Sequence, residues 1–166
     1  MKILNRLPFP VAERTIYLPN QSRHTALLFQ TIVQVSLSVR GQIKGPIPAF
    51  LDPGHNHNFS ISATHVREWL GVNPADLKAS GRVAFGGSIL VMREADVFLH
   101  RNLPGSDELI IDDPFPLRMI EDKGIIVHES PIADLPILGI RSFVRNGLRL
   151  VFDFDKKFVT LQKGRW

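Results

Sequence analysis

The chain has 166 residues, a length that suits one domain with a sizeable core. Hydrophobic residues make up 44% and charged residues 22%, which excludes disordered and fibrous classes, and the lack of cysteine excludes disulfides and thiolate metal sites. The formal charge of +4 comes from Lys and Arg scattered from Lys2 to Arg165, without dense runs or interleaved aromatics, so a solvated surface is expected and not a nucleic-acid site.

The N-terminus lacks the sustained apolar core of a signal peptide, and no apolar stretch approaches the ~20 residues that span a bilayer. A cytoplasmic protein with no membrane partner is the expectation. Residues 1–30 show no clear period and contain Pro8, Pro10 and Pro19, so they read as an irregular N-terminal extension to a domain over 31–166. From Thr31 the pattern alternates, with Val33, Val35, Leu37 and Val39 on one face and Gln34, Ser36, Ser38 and Arg40 on the other, as in a half-buried strand. Gly41 turns the chain, and a second strand runs from Ile43 to Leu51; Pro46 and Pro48 suit an edge or the strand's beginning.

That second strand delivers Asp52 into a turn, Asp52-Pro53-Gly54. Residues His55 to Ile61 can be extended. Ser62 then precedes a short helix, with Val66, Trp69 and Leu70 at helical spacing and Gly71 placed to end it. Residues 81–100 read as hairpin material, with Gly81, Gly86 and Gly87 as its flexible points, and Leu103 to Pro116 reads as a loop. Ile125, Ile126 and Val127 make a short buried strand. A further apolar run, Ile137-Leu138-Gly139, leads into a short helix, and Leu148, Leu150, Phe152 and Phe154 open a closing hairpin turned by Asp155-Lys156-Lys157.

Asp-Pro-Gly alone is a common turn, and an acid in such a place can do no more than cap nearby backbone N–H groups. The order and spacing of both motifs say more. A hydrophobic run ending in Asp-x-Gly, a strand, a glycine-bearing hairpin, then hydrophobic-hydrophobic-Gly before a short helix resembles the retropepsin-like aspartic peptidase family over residues 32–162. The resemblance implies a mostly β fold, an acid-protease half-barrel with two short helices, and a two-fold homodimer acting on a peptide or protein substrate without a cofactor. Asp52 is the implied catalytic residue, with Pro53, Gly54 and His55 as its loop. Ile137, Leu138 and Gly139 form the supporting loop, Gly139 beneath the Asp52 turn. A flap is implied near Val83 to Gly87, with Phe85, Gly86 and Gly87 at its tip; an ordinary surface hairpin is the alternative.

The chemistry requires two carboxylates around one water, sharing one proton because like charges that close cannot both ionise. A chain with one Asp-x-Gly obtains its second carboxylate from a partner on the two-fold axis. One departure stands out. The family places Thr or Ser between Asp and Gly, where the hydroxyl accepts a backbone N–H from the partner loop, and Pro53 supplies neither hydroxyl nor N–H. Two outcomes stay open: a weakened peptidase, or a catalytically inactive dimeric module for peptide binding or assembly. A third, a metal site built on His55 and His57 with Asp52, lacks a further ligand in the local sequence, and no metal is expected.

Overall fold

The computed structural model describes residues 1–119, 124–129 and 133–164. It is mostly β with two α-helices, and among the described residues its sheets do not close into a barrel. No helix of the described residues is long and apolar enough to cross a membrane.

In chain order the strands are β1 (Lys2–Pro8), β2 (Arg14–Tyr17), β3 (Arg23–Ala26), β4 (Ile32–Val39), β5 (Gln42–Asp52) and β6 (Phe59–Ser62), followed by helix α1 (Ala63–Leu70). After a 3₁₀ turn at Pro74–Asp76 come β7 (Ala79–Phe85), β8 (Ser88–Arg93), β9 (Asp96–Asn102), β10 (Leu109–Leu117), β11 (Ile125–His128) and β12 (Ile137–Gly139). Helix α2 (Ile140–Arg145) and the hairpin β13 (Leu148–Asp153) and β14 (Phe158–Lys163) end the chain.

The central sheet has the order β10-β9-β4-β5-β12-β6-β11-β8-β7. Among the described residues two of its pairings are parallel, β12 with β5 and β11 with β6. β12 therefore wedges between the strand that ends at Asp52 and the strand that follows its loop, running antiparallel to the latter. β12 joins β5 only at Phe50–Asp52, so the proline-bearing first half of β5 has β4 as its ladder partner and its missing N–H groups disturb little. The core unites both larger sheets, with Ile3 and Leu4 of β1 and Leu161 of β14 packed in one cluster with Val35, Ile47, Phe59, Val97 and Leu138.

Local signals set several elements. The Ser62 hydroxyl accepts the His65 N–H at 3.0 Å to cap α1, and Gly71, at φ 63°, closes it by donating to the Arg67 carbonyl. The buried strand at 125–128, the short helix after Gly139 and the closing hairpin stand where the sequence places them.

Four expectations are corrected. Residues 1–30 are not irregular: β1 pairs with β14, β2 with β3, and Ile3, Leu4, Leu7 and Phe9 are buried. Arg6, at φ 51°, and two register shifts break the alternation of β1, so no regular period reaches the sequence. The segment 103–116 is not all loop, because β10 pairs with β9; it is an edge strand with a register shift before Phe115, where Pro114 and Pro116 are tolerated. Residues 55–58 form a loop, and the extended run begins only at Phe59. β4 is buried on both faces in part, since Ser36 is 1% exposed and its hydroxyl meets His100 Nε2 at 2.8 Å.

Candidate active site around Asp52

Strand β5 is apolar and buried through Ile47, Ala49 and Leu51, then emerges at Asp52, whose side chain is exposed. The carboxylate does not float. Its Oδ1 accepts the Gly54 N–H at 2.8 Å, and the Asp52 carbonyl accepts the His55 N–H at 3.2 Å. Proline at 53, having no N–H, leaves Gly54 and His55 as the donors that close this turn.

The loop is then tied to β12 from below. The Ile140 N–H donates to the His55 carbonyl at 3.0 Å, and the Gly139 N–H to the Asn58 carbonyl at 2.9 Å. In the parallel register Gly139 stands opposite Asp52. A Cβ added at Gly139 would lie 2.1 Å from the His57 carbonyl oxygen and 2.5 Å from that of His55, so only glycine allows the loop to sit this low. Ile137 and Leu138 continue the same ladder beneath Phe50 and Leu51.

From above, the β7–β8 hairpin reaches the loop. Its turn is Gly86-Gly87, at φ 54° and 80°, and Phe85 beside it sets its ring 6.1 Å from that of His55 and 5.5 Å from that of His57. The two imidazoles are 5.3 Å apart. His55 is buried and its Nε2 meets the Ser60 hydroxyl at 2.7 Å. Burial lowers the pKa of His55, the neighbouring His57 and His128 lower it further, and only Asp52 opposes them. Burial, then Arg141, also lowers that of His57. Both rings are therefore neutral near pH 7.

Beside Asp52 opens a groove of about 370 Å³ lined by Phe29, Thr31, Phe50, Pro53, Ile137 and Phe152 among others. Its walls combine aromatic and aliphatic side chains with the polar Gln30 and Thr31, and Asp52 is the charged group at its side. Phe29 and Phe152 come from the segment before β4 and from β13, far from either motif. Sequence reasoning missed them; the alternation of β13 was the only signal, and it marks a face without naming its neighbour.

The structure thus brings Asp52, Pro53, Gly54 and His55 together with Ile137, Leu138 and Gly139, and places Phe85 over that loop, with Gly86 and Gly87 at the hairpin turn. Among the described residues no group of three or more His, Asp or Glu gathers in a way that could hold a metal ion. Such an arrangement presents one exposed carboxylate at the side of the groove, while the hairpin lies over His55 and His57 of the same loop. Comparisons with protein-family models, with curated proteins and with solved structures find no significant match.

Proposed function

We propose that this chain is an aspartic endopeptidase-like protein of the retropepsin-like type, working as a homodimer in which two Asp52 carboxylates meet across a two-fold axis. The observation that carries the reading is the parallel register of β12 on β5, which sets Gly139 opposite Asp52 and seats the turn on it. It is further supported by the exposed carboxylate, the apolar groove at its side and the glycine-tipped hairpin above. The cysteine-free composition fits work in the cytoplasm.

In this reading a water lies between the two carboxylates, one protonated and one not. The unprotonated one takes a proton from the water as its oxygen attacks the peptide carbonyl carbon. The protonated one gives its proton to the carbonyl oxygen, forming a neutral gem-diol. Collapse of the gem-diol breaks the C–N bond: the proton held by the first carboxylate passes to the leaving amine, and the second carboxylate takes a proton back from a gem-diol hydroxyl, which leaves the new carboxyl product and restores the starting pair. The hairpin excludes bulk water while this happens.

A second reading is favoured by one residue. Pro53 cannot supply the hydroxyl that would lock the two loops in register, and misplacement of reacting groups by ~1 Å costs on the order of 10²-fold. A dimer that binds peptides in the groove without cleaving them follows. The deciding experiment is cleavage of a diverse peptide library between about pH 3 and 7 by the parent, Asp52→Asn and Pro53→Thr proteins. Cleavage by the parent that vanishes in Asp52→Asn supports the peptidase. A silent parent with activity gained in Pro53→Thr supports a scaffold disabled at one position, and silence of all three supports the binding module.

A further inference from the structure

On the side of the molecule built from β1, β2, β4, β9 and β10 lies a separate cavity of about 150 Å³. Its wall is mixed, apolar at Leu4, Ile32 and Leu109 among others, and polar at Gln34, His100, Asn102 and Asp107, with two guanidinium groups, Arg14 of β2 and Arg101 of β9, in the same wall. Each is paired at its outer end. Arg14 Nη1 donates to Asp107 Oδ2 at 2.7 Å, and Arg101 Nη2 lies 3.1 Å from Asp113 Oδ2. These carboxylates are 61% and 82% exposed, so water screens much of their pull.

The inner ends are different. Arg14 Nε and Arg101 Nε are both buried, and neither has a hydrogen-bond partner. An arginine Nε–H is an obligate donor that no tautomer or rotation turns into an acceptor. Leaving one buried and unpaired is costly, by about 1–3 kcal/mol. The other polar side chains of the wall do not relieve it. Asn102 is consumed by Asn5, Leu103 and Ser106, and His100 Nε2 is held by Ser36, while His100 Nδ1 is itself buried without a hydrogen-bond partner. Burial lowers the His100 pKa against the opposing pull of the Ile110 and Ile111 carbonyls, so this ring adds no positive charge near neutral pH.

We propose that this cavity is a binding site for a small oxyanion, a phosphate or a carboxylate, held by the Nε edges of Arg14 and Arg101. Two buried donors need acceptors, an anionic oxygen is favoured because each guanidinium is offset only by a solvent-screened carboxylate, and a guanidinium edge matches the spacing of two oxygens on either anion. The volume admits an ion of that size with a few carbons against the leucine and isoleucine wall. Because Arg14 stands on the β2–β3 hairpin and Arg101 on the central sheet, a bound anion ties the two together and stabilises the fold by mass action. The proposal is independent of the peptidase reading and uses none of its residues.

The test is a ¹H–¹⁵N titration that follows the arginine Nε–Hε cross-peaks of the full chain. Inorganic phosphate and acetate are added separately at constant ionic strength, with chloride as the control ion. The Arg14 and Arg101 peaks are expected to move together to saturation with one anion or both. Phosphate alone, acetate alone or both then identifies the source. Arg14→Lys and Arg101→Lys keep the charge and lose the Nε edge, and each is expected to weaken binding about tenfold or more, roughly 1.4 kcal/mol. Peaks that stay fixed, or that move as much with chloride, mean the cavity holds water alone and overturn the proposal. If a lysine variant fails to fold, the titration of the parent protein still decides.

Discussion

The Asp52 loop and the Arg14/Arg101 cavity solve opposite problems. In the loop the backbone groups that could be left over are used: the Gly54, His55, Gly139 and Ile140 N–H groups all have acceptors inside the subunit, and the carboxylate faces solvent. In the cavity two donors are buried with nothing to receive them. A loop finished in this way holds its reactive group ready without help from a ligand, whereas an unfinished cavity gains order only when something enters it. The difference separates a loop whose polar groups are already satisfied from a cavity with donors left over, and each side of it can be broken by substitution.

The largest effect is expected at Gly139. In Gly139→Ala the new methyl meets two backbone carbonyls, which cannot swing aside as a side chain would, so the loop must lift or β12 must leave it. A loss of about 3 kcal/mol or more is expected in urea unfolding, at the upper end for overpacking. Gly54→Ala is the matched control, since its methyl meets only Asp52 Oδ1, at 3.1 Å, and a side chain can yield. Equal losses at the two glycines would mean that the loop is not seated on β12.

Next in size is the buried contact between His55 Nε2 and Ser60. Ser60→Ala leaves an imidazole nitrogen buried without a partner, and a loss of about 1–3 kcal/mol is expected. The same ring gives a pH signature. The pKa values of His55, His57, His65 and His100 are all lowered in the folded chain, each by burial first. Between those lowered values and the ordinary value near 6.5 the unfolded chain binds more protons, so stability is full above about pH 6.5 and falls as pH drops below it. Unfolding midpoints measured from pH 8 down to about pH 4 should decline through this window, and His55→Asn should flatten the decline. A flat profile in the parent would remove the histidines from the loop's support. The consequence for catalysis is a conflict: a carboxylate pair favours acid, while the imidazoles beneath the hairpin do not, so any cleavage should fade on the acid side as His55 gains its proton.

What could be read from residues alone follows the same division. Asp52 and the Ser62 and Gly71 caps carry their reasons locally, in a turn and two helix ends, whereas Gly139 is legible only through the order of the two motifs, because the carbonyls it approaches belong to His55 and His57. The N-terminal strand does not: Leu4 and Leu7 face the core only because β14 arrives from the far end of the chain, and the bulge at Arg6 hides their period. The groove lining was illegible for a similar cause, since Phe29 and Phe152 become neighbours of Asp52 only through folding. The arginine cavity joins β2 to β9 across a wide sequence gap, and scattered basic residues look like solvated surface until two of them share a wall. The Asp113-Pro114 bulge shows the converse, a turn signal lying inside an edge strand.

The smallest effect is expected at Asp52 itself, and its size as a function of concentration is informative. Within one subunit Asp52→Asn should change stability by no more than ~0.5 kcal/mol, because the side chain is exposed and an amide oxygen can accept the Gly54 N–H as the carboxylate does. Across a two-fold axis the same substitution removes the cost of making one of two facing carboxylates take up a proton at neutral pH, which favours association. Urea midpoints for parent and variant, taken at low and high protein concentration, separate these terms. A difference near zero when dilute that grows in favour of Asp52→Asn when concentrated means the two carboxylates face each other in a dimer. A difference near zero at both concentrations means they never meet, and the loop, however well held, then has only one of the two acids that hydrolysis requires.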